Sequence, residues 1–253
     1  MNKSVETSTP SVGPRWMRLL HSSGILAIIM GIIWVMVAYM ALALYRFNLP
    51  TTTPGFLQLF SQHQILAAST WSLWIVADIV LVPVTIALYV ILKPVSKNLA
   101  LCGAVLTLAF CVYDPLVSEL QSLRLVGYSQ AYIAATTESA KASVIANATG
   151  IVNALPFMTF ISYFLSIGPL LFAIAMLRSN SFRQGTAVFG VVTNMMAVIG
   201  AFNAIGVNSL IVGLFFIVSV PTVALWFILV GGQMLRHFPK ATSTTRGSAP
   251  KQT

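Results

Sequence analysis

Long apolar stretches alternate with shorter polar segments along the whole chain. Each stretch is long enough for a helix rising about 1.5 Å per residue to cross a hydrocarbon core about 30 Å thick. The pattern therefore predicts an all-α integral membrane protein, built as a bundle of six transmembrane helices. The predicted spans are roughly residues 24–45, 65–92, 99–117, 150–177, 186–205 and 209–235.

Composition supports the same class of protein. Of the 253 residues, 57% are hydrophobic and 8% are charged, and the mean hydropathy is +0.88. Soluble domains carry about 25% charged residues, so a soluble enzyme, a disordered protein and a secreted disulfide scaffold are excluded. The expected partner is the lipid bilayer and not nucleic acid, despite a formal net charge of +9.

Basic residues predict the orientation of the bundle. Eleven of the 14 Lys and Arg fall on one side of the predicted spans, and Arg46, Arg124 and Lys141 fall on the other. Because basic residues are retained in the cytoplasm during insertion, both termini are predicted to be cytoplasmic. The eleven residues are Lys3, Arg15, Arg18, Lys93, Lys97, Arg178, Arg183, Arg236, Lys240, Arg246 and Lys251.

The remaining segments complete the predicted domain organisation. Residues 1–20 and 239–253 read as disordered cytoplasmic tails, which flank a transmembrane domain over 21–238. Residues 119–147 form a long external loop, which either rests on the membrane surface as a helix or covers an outward-facing cavity. The first span is longer than the apolar region of a cleaved leader, so it is predicted to be retained.

Asp78 is the leading candidate for chemistry because it lies midway along the second predicted span. A charged side chain at that depth costs roughly 2.5–3.5 kcal/mol, so it is expected to face the bundle interior. Trp71, Trp74 and Thr85 lie on the same helical face and are expected to offer it hydrogen-bond partners. Two interpretations stay open: a group that responds to protons or cations, and a hydrogen bond that fixes helix packing.

A second group of polar residues is predicted near the outer ends of the spans. Asp114 precedes Pro115 close to the end of the third span, where an Asp-Pro pair is typical of a turn or a distorted last turn. Asn153 and Asn203 are expected at a similar depth. These residues line a polar pocket open to the outside, or they are separate groups that contact water at the interface. In the first interpretation the pocket also includes Tyr113, Glu119 and Asn208.

Several chemistries are not supported by the sequence. It has no zinc-protease, serine-hydrolase or phosphate-loop motif. On the predicted topology, Asp78 and Asp114 differ in depth by roughly 10 Å or more. This separation disfavours an intramembrane aspartyl dyad. No cofactor and no metal site are expected.

The second and third spans resemble a known family. They contain Ile75-Val-Ala-Asp78, followed by a run from Ala87-Leu-Tyr89 through Lys93-Pro94 to Leu101. This is similar to the I-V-A-D and A-L-Y-x-L-L-K-P-V-x-K-N-L-A-L signature of a bacterial multi-pass membrane family, a domain of unknown function. The resemblance implies a multi-pass protein of the cytoplasmic membrane of a bacterium, and it covers Asp78. It does not extend to Asp114 and implies no activity.

Together these features lead to a functional hypothesis. The chain is expected to transport or sense a small solute or protons through an outward-facing cavity around Asp78. Two alternatives remain: an accessory or structural membrane protein, and an intramembrane enzyme. The sequence specifies no protein partner.

Overall fold

Helices are the only regular secondary structure in the residues that can be described. The structure, a computed structural model, describes residues 14–45, 50, 52–207 and 209–237, and within these ranges it contains no strand. The helices are α1 (Pro14–Tyr45), α2 (Thr53–Gln62), α3 (Gln64–Leu92), α4 (Lys97–Tyr113), a π-helical segment (Asp114–Glu119), α5 (Leu120–Ala134), α6 (Glu138–Phe164), α7 (Ile167–Met176), α8 (Gln184–Ala204) and α9 (Leu210–His237).

Six helical stretches in the described part of the chain are long and apolar enough to cross a membrane, which confirms the predicted fold class. Two of them are much longer than predicted. Lys97–Ala134 has 38 residues and Glu138–Met176 has 39, so each reaches beyond a hydrocarbon core of about 30 Å. Hydropathy marks where a helix leaves the lipid, not where it ends, and the predicted boundaries at 117 and 150 therefore fell inside these helices.

The predicted external loop over 119–147 is consequently helical. It consists of α5 and the first part of α6, joined by a short turn at 135–137. Together with α2 these helices form a small layer, which we call the cap. Its core contains Leu57, Phe60, Leu125 and Val152, and Thr53 shares a 3.2 Å hydroxyl contact with Thr149.

The spanning helices form a closed ring in which each packs against its neighbours in sequence. α1 packs on α3, α3 on α4, α4 on α7, and α8 on α6, α7 and α9. The ring closes because α9 packs along α1. Gly24 and Gly231 meet at this contact, and a Cβ on Gly231 would lie 2.5 Å from the Gly24 carbonyl oxygen. Only glycine permits so close an approach of the two backbones.

One end of the ring is basic. Arg18, Lys93, Lys97, Arg178, Arg183 and Arg236 all lie at the ends of helices opposite the cap, among the described residues. We call this the basic end. Its location in the cytoplasm stays a prediction.

The first helix begins earlier than predicted. Residues 14–20 belong to α1 and not to the predicted tail 1–20. The other parts of the predicted tails, residues 1–13 and 239–253, lie outside the described residues.

Candidate functional site

Asp78 lies at the centre of α3 and is completely buried. Neither of its carboxyl oxygens has a hydrogen-bond partner. A buried polar group without a partner is rare and calls for an explanation, and an unpartnered carboxyl is the most costly kind. The prediction that Asp78 faces the bundle interior is confirmed.

The partners predicted for Asp78 were wrong. The Thr85 hydroxyl donates to the Leu81 carbonyl at 2.9 Å, because a hydroxyl on a helix can reach the carbonyl four residues earlier. Trp74 packs edge-on against Trp34, with ring centroids 5.7 Å apart. Trp71 lies about 10 Å from Asp78 along the helix and packs against the core of the cap. These three side chains lie on the same helical face as Asp78, but they do not form hydrogen bonds with it.

The neighbour of Asp78 is instead Asp114, which is also buried. The two carboxyl groups are close enough to interact directly. The prediction that they differ in depth by roughly 10 Å was wrong. Counted from the turn between α3 and α4, Asp78 is 15 residues before Lys93 and Asp114 is 17 residues after Lys97, which is a difference of about 3 Å. The error arose because the third span was ended too early, which placed Asp114 at its outer end.

Two hydroxyl groups surround Asp114. Ser162 of α6 donates a hydrogen bond to Asp114 Oδ1, and Ser118 lies within hydrogen-bonding reach on the π-helical segment. The Ser162 hydroxyl also lies 3.1 Å from the Met158 carbonyl of its own helix. Asp114 is therefore held between α3 and α6, at the level of Asp78.

The π-helical segment brings a third acid into the same region. Pro115 has no N–H, and its ring clashes with the carbonyl four residues earlier, which disfavours a regular α-helical turn. The helix continues through a wider turn, in which the Leu120 N–H bonds to the Pro115 carbonyl five residues earlier. The predicted helix end at Asp114-Pro115 is thus a π turn inside a continuous helix.

Glu119 ends the π turn and points inward. It is 4% exposed, and its Oε2 is buried without a hydrogen-bond partner. The charges of Asp114 and Asp78 both act on it. We call Asp78, Asp114 and Glu119 the acid cluster, which holds three of the five acidic residues of the chain.

No ion pair within the described ranges reaches the acid cluster. The ion pair seen there joins Lys141 to Glu138 at 3.1 Å in the cap. Arg124 follows the cluster on α5, but it is exposed and donates to Gln121. No group of three or more His, Cys, Asp or Glu is arranged to hold a metal ion among the residues described.

Asn153 and Asn203 do not join Asp114. Asn153 is exposed on α6, about 13 Å along the helix from Ser162. Asn203 is half-buried near the end of α8, and its Oδ1 faces Gly213 of α9. Neither is among the groups that hydrogen-bond to Asp114, so the interpretation of these residues as one shared pocket was wrong. Asn208 lies outside the described residues.

An open groove of about 430 Å³ does occur at the cap. Its lining comes from the neighbouring ends of α2, α3 and α5 and includes no member of the acid cluster. The lining residues are Ser61, Gln62, Gln64, Gln130, Ile133 and Ala134.

Sequence reasoning missed Ser162 and the contact between the two aspartates, whereas it did group Glu119 with Asp114. The contact had a usable signal, since both residues are almost equally far from the Lys93–Lys97 turn. The contact of Ser162 gave no signal in the sequence, because the position of Ser162 relative to α4 depends on how the helices pack.

Comparison of the chain with profiles of known protein families, with curated protein sequences and with solved structures found no match.

Proposed function

We propose that this protein is a proton-linked membrane transporter or sensor, and that the Asp78–Asp114 pair holds the proton. The observation that carries the proposal is the direct approach of two buried carboxyls, one of which has no hydrogen-bond donor at all. We also propose that the protein resides in the cytoplasmic membrane of a bacterium, with the basic end in the cytoplasm.

Charge repulsion supports this proposal. Two unit charges about 4 Å apart repel by about 4 kcal/mol at an effective dielectric constant of about 20. No basic residue forms an ion pair with Asp78 or Asp114 among the described residues to offset that repulsion. Two ionised carboxylates also have no proton to donate to each other, whereas a carboxyl and a carboxylate form a hydrogen bond. A single shared proton removes the repulsion and gives Asp78 the partner it lacks.

Burial supports a role in coupling. A titratable carboxyl inside a membrane bundle is costly to maintain, and such groups often mark proton pathways in pumps and transporters. Loss or gain of the shared proton changes the charge between α3 and the π-helical segment, so the packing of these two elements depends on pH. A solute gradient or a change in pH is thereby converted into a change of helix packing.

The same contact supports a second candidate, hydrolysis inside the membrane. Two aspartates that share one proton can act as acid and base on a water molecule. The structure brings Asp78 and Asp114 together on neighbouring elements, which is the geometry this chemistry requires.

Proton exchange of the full-length protein in proteoliposomes tests the proposal. A rapid pH change is applied, and the protons taken up or released are counted with a pH-sensitive dye. We expect the wild type to exchange one proton more than Asp78→Asn or Asp114→Asn. Glu138→Gln serves as the control, because Glu138 is an exposed acid of the cap.

Equal proton counts in all four proteins would exclude the proposal. The second candidate is examined in parallel with a panel of labelled transmembrane peptides. Cleavage by the wild type that disappears in both aspartate variants would favour hydrolysis over proton-linked transport.

A further inference from the structure

The π-helical segment places Asp114 and Glu119 on the same side of one helix. In a regular α-helix, residues five apart are separated by about 500° of rotation, which leaves them about 140° apart around the axis. In a π turn, residues five apart are hydrogen-bond partners and therefore lie one above the other. The bond between the Leu120 N–H and the Pro115 carbonyl shows that this wider turn is present here.

The burial of Glu119 leaves half of its carboxyl group without a hydrogen-bond partner. It is 4% exposed, its Oε2 is unpartnered, and no ion pair within the described residues includes it. It lies on the cap side of Asp114, where the π turn joins α5. A carboxyl in that place stands between the Asp78–Asp114 pair and the end of the bundle that carries the cap.

We infer that Glu119 is the proton relay between the cap end of the bundle and the Asp78–Asp114 pair. This inference rests on the proposed function and adds the path by which the proton reaches the aspartate pair. In the inward step, the Glu119 carboxylate takes a proton from a hydronium ion at the cap end, which leaves a water molecule. Glu119 then gives that proton to the ionised aspartate pair, so that one O–H bond breaks as another forms and Glu119 returns to the carboxylate. The hydroxyls of Ser118 and Ser162 flank Asp114 and can carry a proton over the last step.

Two carboxyls, a thiol and a phenol are the titratable groups near Glu119 in the described part of the site. Asp78 faces it from α3, Asp114 from the π turn, and the Cys111 thiol lies beside both aspartates on α4. Tyr113 lies beside Asp114 on the same helix. Arg124 is exposed on α5 and pairs with Gln121, so no cation faces the relay from that helix.

The test measures the rate of proton exchange after a pH jump in proteoliposomes, for full-length Glu119→Gln and for the wild type. We expect the variant to exchange the proton of the pair more slowly by about 10²-fold, while the number of protons exchanged at equilibrium by the pair stays the same. Glu119→Asp retains an acid and should recover a large part of the rate. Glu138→Gln should exchange at the wild-type rate.

A second variant tests the role of the π turn while keeping the carboxyl. Pro115→Ala restores the N–H that proline lacks, so that a regular α-helical turn can form and rotate Glu119 away from the pair. We expect slow exchange in this variant too. Wild-type rates in Glu119→Gln, or in Pro115→Ala, would overturn the inference and leave the proposed function intact. Absence of the pair's proton in the wild type would instead overturn the proposed function.

Discussion

Replacing Asp78 by Asn is expected to stabilise the protein and to flatten the pH dependence of its stability. Asparagine has nearly the shape of aspartate, carries no charge, and brings an N–H donor that faces Asp114. The unpartnered carboxyl is thereby replaced by a hydrogen bond to the Asp114 carboxylate. A hydrogen bond to a charged group contributes about 1.5–3 kcal/mol.

The pH dependence follows from the protons bound in each state. In the unfolded chain, both aspartates lose their protons above about pH 4–5. In the folded wild type the pair keeps one proton, so the folded state binds one proton more. The free energy of unfolding then falls as pH rises, by about 1.4 kcal/mol per pH unit, until the pair also loses its proton. The variant retains one ionised carboxylate in both states and lacks this contribution. The difference between the two proteins is therefore expected to grow by about 1.4 kcal/mol per pH unit over the range in which the pair keeps its proton.

Equilibrium unfolding in mixed detergent micelles measures this difference. Helix content and the fluorescence of the five tryptophans report unfolding at each pH. Glu138→Gln is the control and should follow the pH dependence of the wild type, because its carboxyl is exposed and pairs with Lys141. Parallel pH profiles for the wild type and Asp78→Asn would refute the reasoning, since no shared proton would then be linked to folding.

Two further substitutions test the packing around the site, each by unfolding in the same micelles. Ser162→Ala removes the hydroxyl that donates to Asp114 and should lower the free energy of unfolding by about 1–3 kcal/mol; an unchanged value would show that the bond contributes nothing. Gly190→Ala places a Cβ against the buried Trp226 ring and should cost about 1–3 kcal/mol by overpacking. Gly232→Ala, which meets nothing within 4 Å, is the matched control, and equal losses in both glycine variants would contradict the close contact at Gly190.

The fold was largely predictable because lipid imposes a simple pattern on sequence. A spanning helix needs about 20 apolar residues, and all six such stretches were found from hydropathy alone. The same reasoning failed at 119–147, where the chain leaves the lipid but stays helical. Residues such as Leu125 and Val152 bury their side chains in the cap, and hydropathy does not separate this kind of burial from a polar loop.

Only part of the candidate site could be predicted from the sequence. Asp78 stood out because a deep carboxyl is costly and therefore rare. Asp114 was found as a candidate but assigned to the wrong depth, because Pro115 was interpreted as the end of a helix and not as the cause of a wider turn. The position of Glu119 on the same side of the helix as Asp114 depends on the rotation that this turn adds. A regular helical period of 3.6 residues does not predict that rotation.

The central claim is that Asp78 and Asp114 share a proton inside the bundle, and infrared spectroscopy of the carboxyl groups tests it most directly. Protonated carboxyls absorb at a C=O stretching frequency that carboxylates lack, and the band shifts when H₂O is exchanged for D₂O. At pH 7 we expect a component of this band in the wild type and in Glu138→Gln, and its loss in both Asp78→Asn and Asp114→Asn. A wild-type spectrum without the band, or a band that both aspartate variants retain in full, would contradict the claim.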